Sequence, residues 1–294
     1  MIPHALLFVA LGLLAAFYLV AWLRAARLRG LAVPKPLEIG IGFLSNFFDT
    51  LGIGSFAPTT AVYKLFKMVP DQTIPGTLNV GDALPTVLEA FIFIAIVQVD
   101  VLTLTLLIAA AIAGAWLGAG VVSKLPRRAV QIGMGCALFV AAVLFVFKNL
   151  NLLPGGGTAL GLNGTLLAVG IVVNFALGAL MTLGIGLYAP AMVMVSLLGM
   201  SPLAAFPIMM GSCAFLMPVA GMRFIRFNRY DIRAAIGLTL GGLPGVLIAA
   251  FIVKSLPLTA VRWLVVIVVA YAALAMLRSA FAERGSPVAT AAAT

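Results

Sequence analysis

Within Asp49-Thr50-Leu51-Gly52-Ile53-Gly54-Ser55-Phe56-Ala57-Pro58, the pentapeptide Thr50–Gly54 returns 132 residues later as Thr182-Leu183-Gly184-Ile185-Gly186. The same offset carries Pro58 onto Pro190, Met68 onto Met200, Pro70 onto Pro202 and Pro75 onto Pro207. An offset of 131 carries Leu125-Pro126 and Ala129-Val130 onto Leu256-Pro257 and Ala260-Val261. One shared pentapeptide could be chance in a glycine-rich chain. Prolines held in the same register argue for an internal duplication.

Each copy of the pentapeptide interrupts an apolar run. Glycines permit the backbone to leave the helix, and a proline four residues after the second glycine suits the first turn of a new half-helix. Non-helical backbone at membrane depth has to be buried in protein or line a cavity, because lipid offers it no hydrogen bonds. Composition says that this is membrane depth. Of 294 residues, 64% are hydrophobic and 9% charged, against about 25% charged in a soluble domain. Apolar runs of about 20 residues recur along the chain, and the short alternating segments of an outer-membrane barrel are absent. The expected fold is all-α: a polytopic helical membrane protein of two repeats.

The units are an extra N-terminal helix (1–30), a first repeat (36–148), a second repeat (158–280) and a disordered tail (281–294). The first run, Ile2–Leu23, lacks a basic leader and precedes Arg24, Arg27 and Arg29, so it reads as a retained span. The repeats divide into segments near 37–67, 74–98, 101–123 and 128–147, then 160–198, 203–224, 232–253 and 259–278. If the first segment of each repeat spans once, the halves are parallel. If it is re-entrant, each repeat spans three times and the halves are inverted.

The distribution of Lys and Arg decides between these arrangements. With the N-terminus outside and single spanning, 11 of the 18 basic residues face the cytoplasm. With re-entrant segments, Lys64, Lys67, Lys124, Arg127 and Arg128 join that side while Lys148 leaves it, so the count becomes 15, with Lys148, Lys254 and Arg262 outside. The expectation is therefore seven full spans, two re-entrant or broken elements and inverted repeats. The N-terminus lies outside and the C-terminus inside a cytoplasmic (inner) membrane. The net charge of +10 then belongs to topology and not to a nucleic-acid partner. Arg223, Arg226, Arg229 and Arg233 likewise read as positive-inside anchoring of a short loop.

Inverted symmetry would bring two half-helix N-termini together, each with free N–H groups and a partial positive charge suited to an anion. The candidate substrate-binding residues are Thr50, Gly52, Gly54, Ser55 and Thr59 of the first half, with Thr182, Gly184, Gly186 and Tyr188 of the second. Thr60 is a further hydroxyl donor. Ionisable residues inside spans are costly and mark proton relays in transporters. Asp49, Asp82 and Glu89 are the proton-coupling candidates, with no acidic counterpart in the second half. Asp82 and Glu89 share a helical face, next to Pro85, which should kink that helix as Pro218 should kink its counterpart. The plainer roles are that Asp49 caps a half-helix and that Asp82 and Glu89 pair with Lys64 or Lys67. Asn46, Asn79, Asn174 and Ser212 either line the site or hydrogen-bond between helices, and Gly114, Gly118 and Gly120 serve close helix packing. Cys136 and Cys213 sit in apolar segments, and the only histidine is His4. No catalytic base, metal ligand set or cofactor motif is visible, so an enzyme is not expected.

A Gly-x-Gly break followed by proline, a second proline-bearing segment, a basic loop and a Leu-Pro turn, all given twice, resemble the sulfite exporter TauE/SafE family of permeases. The resemblance covers roughly 37–280 and rests on Gly52, Gly54, Pro58, Gly184, Gly186 and Pro190. It implies transport of a small anion such as sulfite, a sulfonate or a related organic acid, coupled to protons. The chain departs from the family in its extra N-terminal span, its shorter glycine breaks and Asp49 before the first of them. The expected partners are a small anion, protons and the bilayer, and a homo-oligomer is compatible with the sequence. The alternative reading is a passive anion channel of the same architecture.

Overall fold

A computed structural model describes residues 2–30, 32–152, 156–184, 186–251 and 258–282. It is helical, and no strand occurs among the described residues. The helices are α1 (Ile2–Arg29), α2 (Pro36–Thr50), α3 (Phe56–Leu65), α4 (Ile74–Gly81), α5 (Ala83–Ile96), α6 (Val101–Val122) and α7 (Arg127–Asn149). The second half supplies α8 (Gly164–Met181), α9 (Tyr188–Leu197), α10 (Ala205–Arg226), α11 (Ile232–Phe251) and α12 (Leu258–Ala282). The expected disordered tail lies, from residue 283 onward, outside the described residues, as does Lys254.

Six of these helices are long and apolar enough to cross a membrane: α1, α6, α7, α8, α10 (with the turn before it) and α11. The bent pair formed by α4 with its preceding turn and α5 makes a seventh. The expectation differed in two respects. It counted 259–278 as a full span, whereas among the described residues only Val269–Phe281 of α12 registers there, as a shorter apolar helix. It also placed the whole of 160–198 in a re-entrant element, yet α8 alone has 18 residues and is long enough to cross, whereas α2 has 15.

Both first segments are broken where the pentapeptide lies. Gly52 and its counterpart Gly184 have φ of +81° and +92°, a region in which a Cβ would meet the backbone. The chain turns there and restarts as α3 and α9, with Pro58 and Pro190 in their first turns. The second segments do not match each other. The first bends by 40° between α4 and α5. Pro85 has no N–H to give the carbonyl of Gly81, and the Thr239 hydroxyl donates to that oxygen at 2.5 Å instead. The kink expected at Pro218 does not divide its helix, because α10 runs unbroken from Ala205 to Arg226. Thr239→Val should leave the Gly81 carbonyl unpaired and cost about 1–3 kcal/mol. The check is a lowered midpoint of thermal unfolding in detergent.

Packing follows the small residues. On α11, Gly237, Gly241 and Gly245 lie against Glu38, Ile39 and Phe43 of α2. On α6, Gly114 and Gly118 lie against Phe175 and Ala179 of α8. Gly120 differs from its expected role, facing the Arg223 side chain and no helix backbone. Helix α7 packs on α12, and α10 packs on α4, α5 and α6. With 83% of its apolar window buried, α10 is the central helix, while α1 is peripheral at 17% and is fastened by the Tyr18 hydroxyl donating to the Val80 carbonyl at 2.8 Å. The Arg cluster makes local contacts. Arg233 pairs with buried Glu38 at 2.9 Å, and Arg223 lies over Trp116, 4.1 Å from its ring centre.

Candidate functional site

The two breaks meet in the interior. A Cβ built on Gly54 would lie 3.9 Å from the Cβ of Tyr188, and one on Gly186 would lie 3.7 Å from the Cβ of Phe56. Phe56 and Tyr188 are themselves 132 residues apart and open α3 and α9, so the contact is reciprocal between the repeats. Around it lie two small voids of about 10 and 20 Å³, each with room for at most one or two waters. Asp49, Ser55, Thr86, Met181, Cys213 and Met217 complete the larger lining of the first. No Lys, Arg or His lines either void.

A buried polar chain crosses from one repeat to the other beside the voids. Asn46 and Thr50, four apart on α2, face Asp82 and Glu89, seven apart on the bent helix pair, so the shared acidic face expected from spacing is present. The Asn46 amide donates to Asp82 Oδ1 at 2.9 Å. The Thr50 hydroxyl lies 2.8 Å from the Asn46 carbonyl oxygen and 2.7 Å from Glu89 Oε1, with one hydrogen to share between them. The Tyr188 hydroxyl donates to Glu89 Oε2 at 2.6 Å. Glu89 is therefore the carboxyl that joins the first half to the second. Neither Asp82 nor Glu89 pairs with Lys64 or Lys67; Lys64 is taken by Asp71 at 2.6 Å.

Asp49 takes the capping role. Its Oδ1 accepts the backbone N–H of Ser55 at 2.6 Å, so the N-terminus of α3 already holds a carboxyl group of the protein. Among the described residues no side chain caps the start of α9, and Met181 stands where Asp49 stands in the first half. This asymmetry was legible by applying the 132-residue offset to Asp49 and Phe56. The participation of Thr86, Cys213 and Met217 was not, because nothing in their local pattern distinguishes them from core residues.

The other candidates divide. Gly54, Ser55, Gly186 and Tyr188 line the voids. Thr182 is buried and donates to the Ala179 carbonyl at 2.7 Å, closing α8. Gly52 and Gly184 form the turns and lie off the voids, against Phe206 and Met134. Thr59 and Thr60 are buried on α3 with unpartnered hydroxyls and do not line the voids. Asn174 donates to the Leu107 carbonyl and to Ser212, and Asn79 donates to the Pro75 carbonyl. Their roles are thus structural. Lys148, whose topological reading said nothing of the breaks, reaches the Gly52 carbonyl at 3.4 Å. No family model, curated protein or solved structure matches this chain.

Proposed function

We propose that the chain is a secondary transporter that moves a small anion together with a proton, with Glu89 as the coupling carboxyl and Asp49 as its partner at the α3 terminus. The observation that carries this is the meeting of the two breaks at a small void where an α5 carboxyl holds a hydroxyl of the opposite half. Burying an anion beside ionised carboxylates is costly unless a proton enters with it. In the proton-free state Asp49 occupies the Ser55 N–H and Glu89 occupies Tyr188. A proton on Glu89 Oε1 can donate to the Thr50 hydroxyl, whose own hydrogen then turns to the Asn46 carbonyl. Tyr188 and the uncapped N-terminus of α9 become available to the anion. Loss of the proton lets the carboxylate reclaim Tyr188 and expel the anion, which makes entry of the two ions interdependent.

Inverted halves fit this reading. Helix α7 touches the first break at Lys148 and the second near Met134. Those residues are fourteen apart, roughly 21 Å along the helix, so the two turns reach in from opposite ends of α7. The packing also exchanges between repeats, since α2 on α11 answers α8 on α6. Voids of 10 and 20 Å³ hold no anion as they stand, which favours alternating access over the passive channel. The resemblance to the TauE/SafE permeases points to sulfite, sulfonates or small organic acids as the class of substrate, with an inner membrane as the setting.

The test is flux into proteoliposomes for a panel of small anions, with and without an imposed pH gradient. Saturable, gradient-driven uptake of one class is expected. Unsaturable conductance would favour the channel, and no flux across the panel from folded protein would refute the anion reading.

A further inference from the structure

The geometry points to a second site, for an anionic phospholipid, in a cleft between the C-terminal end of α3 and α12. The cleft measures about 1000 Å³, and its charged lining is Lys64, Lys67, Asp71, Arg127 and Arg278. Asp71 carries a single negative charge, and its Oδ2 already accepts from Lys64 at 2.6 Å and from Gln131 at 2.9 Å, with Arg127 at 3.6 Å. It therefore cannot neutralise the rest of the set. Lys67 and Arg278 are exposed and make no ion pair among the described residues. Lys67 sits in a left-handed turn (φ 50°) just past α3, which fixes its position against the cleft.

The opposite wall is apolar. Tyr271 and Leu274 of α12 are 58% and 64% exposed on a helix expected to face lipid. A phosphodiester between Lys67 and Arg278 would satisfy both cations, Arg by paired N–H donors and Lys as a point charge. The attached acyl chain would cover Tyr271 and Leu274. A free phosphate would leave that wall bare, and a choline headgroup would set its own cation against the basic lining. An anionic headgroup such as phosphatidylglycerol meets both requirements. All four basic residues belong to the face that the positive-inside count places in the cytoplasm, where anionic lipid attracts such clusters. A lipid held here bridges α3, which begins at the first break, to α12. The inference rests on the lining of the cleft and on the positive-inside topology, and stands whether or not the chain carries an anion.

The full chain, purified in detergent, should be titrated with phosphatidylglycerol, phosphatidylcholine of the same chain length and inorganic phosphate, with bound lipid counted by native mass spectrometry. Phosphatidylglycerol should bind about tenfold tighter than phosphatidylcholine. The double variant Lys67→Gln, Arg278→Gln should lose that preference, and Arg24→Gln, distant on α1, should keep it; unchanged circular dichroism certifies folding. Equal binding of the two lipids, or an unaltered preference in the double variant, overturns the proposal. Displacement of the lipid by millimolar phosphate alone would make the cleft a free-anion site and overturn it equally.

Discussion

Glu89→Gln should abolish pH-driven accumulation of the transported anion while leaving anion exchange intact. With one proton carried per monovalent anion, a gradient of one pH unit is worth about 1.4 kcal/mol and supports about tenfold accumulation. The variant should fall to about onefold. Glutamine keeps the length of Glu89 and an oxygen to accept from Tyr188, and its amide can donate to Thr50 as a protonated carboxyl would. It can neither release nor take up the proton, so the site stays permanently in the form that admits the anion. Counterflow of labelled against unlabelled anion, which needs no proton, should therefore persist in the same vesicles. Accumulation equal to that of the parent chain would remove Glu89 from the coupling and shift attention to Asp49, tested in the same way by Asp49→Asn. Loss of both accumulation and counterflow from a folded variant would mean that the Glu89–Tyr188 bond is structural.

Gly241→Leu should prevent the chain from reaching its folded state. A Cβ at this position runs into the Ile39 carbonyl oxygen and lies 2.6 Å from the Phe43 nitrogen. Both are helix backbone, which cannot rotate aside as a side chain can. Insertion into a packed interface costs about 1–3 kcal/mol where side chains can move, and more where they cannot, against a total stability of about 5–15 kcal/mol. In a bilayer there is little hydrophobic gain from helix association to offset such a loss, since contact between helices rests on close approach. The comparison is Gly40→Leu on the facing helix, where a Cβ meets nothing within 4 Å and helix propensity improves by somewhat under 1 kcal/mol. Size-exclusion profiles in detergent should show aggregation for Gly241→Leu and a parent-like peak for Gly40→Leu. A parent-like peak for both would refute the claim that the α2–α11 contact is governed by the glycine stripe.

Glu89 was readable in advance while its partner was not, and the packing role of Gly241 emerged only with the structure. Glu89 drew notice because an acid in an apolar run is costly, and the seven-residue spacing correctly put it on the face of Asp82. Nothing in the spacing said that Tyr188, ninety-nine residues on, would hold it. Pro85 and Pro218 read alike, yet only the first follows a break between two helices, α4 and α5, while α10 runs on through Pro218. Asp49 invited a proton-binding role on local grounds, and its position six residues before Ser55 lets it close back on the chain as a cap.

The sequence by itself determined the helical class, the duplicated break and the residues at which the chain must turn. Those follow from composition, hydrophobic run length and the backbone freedom of glycine, which are properties of a few neighbouring residues. Only the tertiary structure decided which donors the buried carboxyls occupy, that the repeats meet at Gly54 with Tyr188 and Gly186 with Phe56, and that the void between them is small. These depend on how helices far apart in the chain cross. Hydrogen bonding over 3 Å distinguishes one crossing from another, while hydropathy averaged along a run treats them as the same.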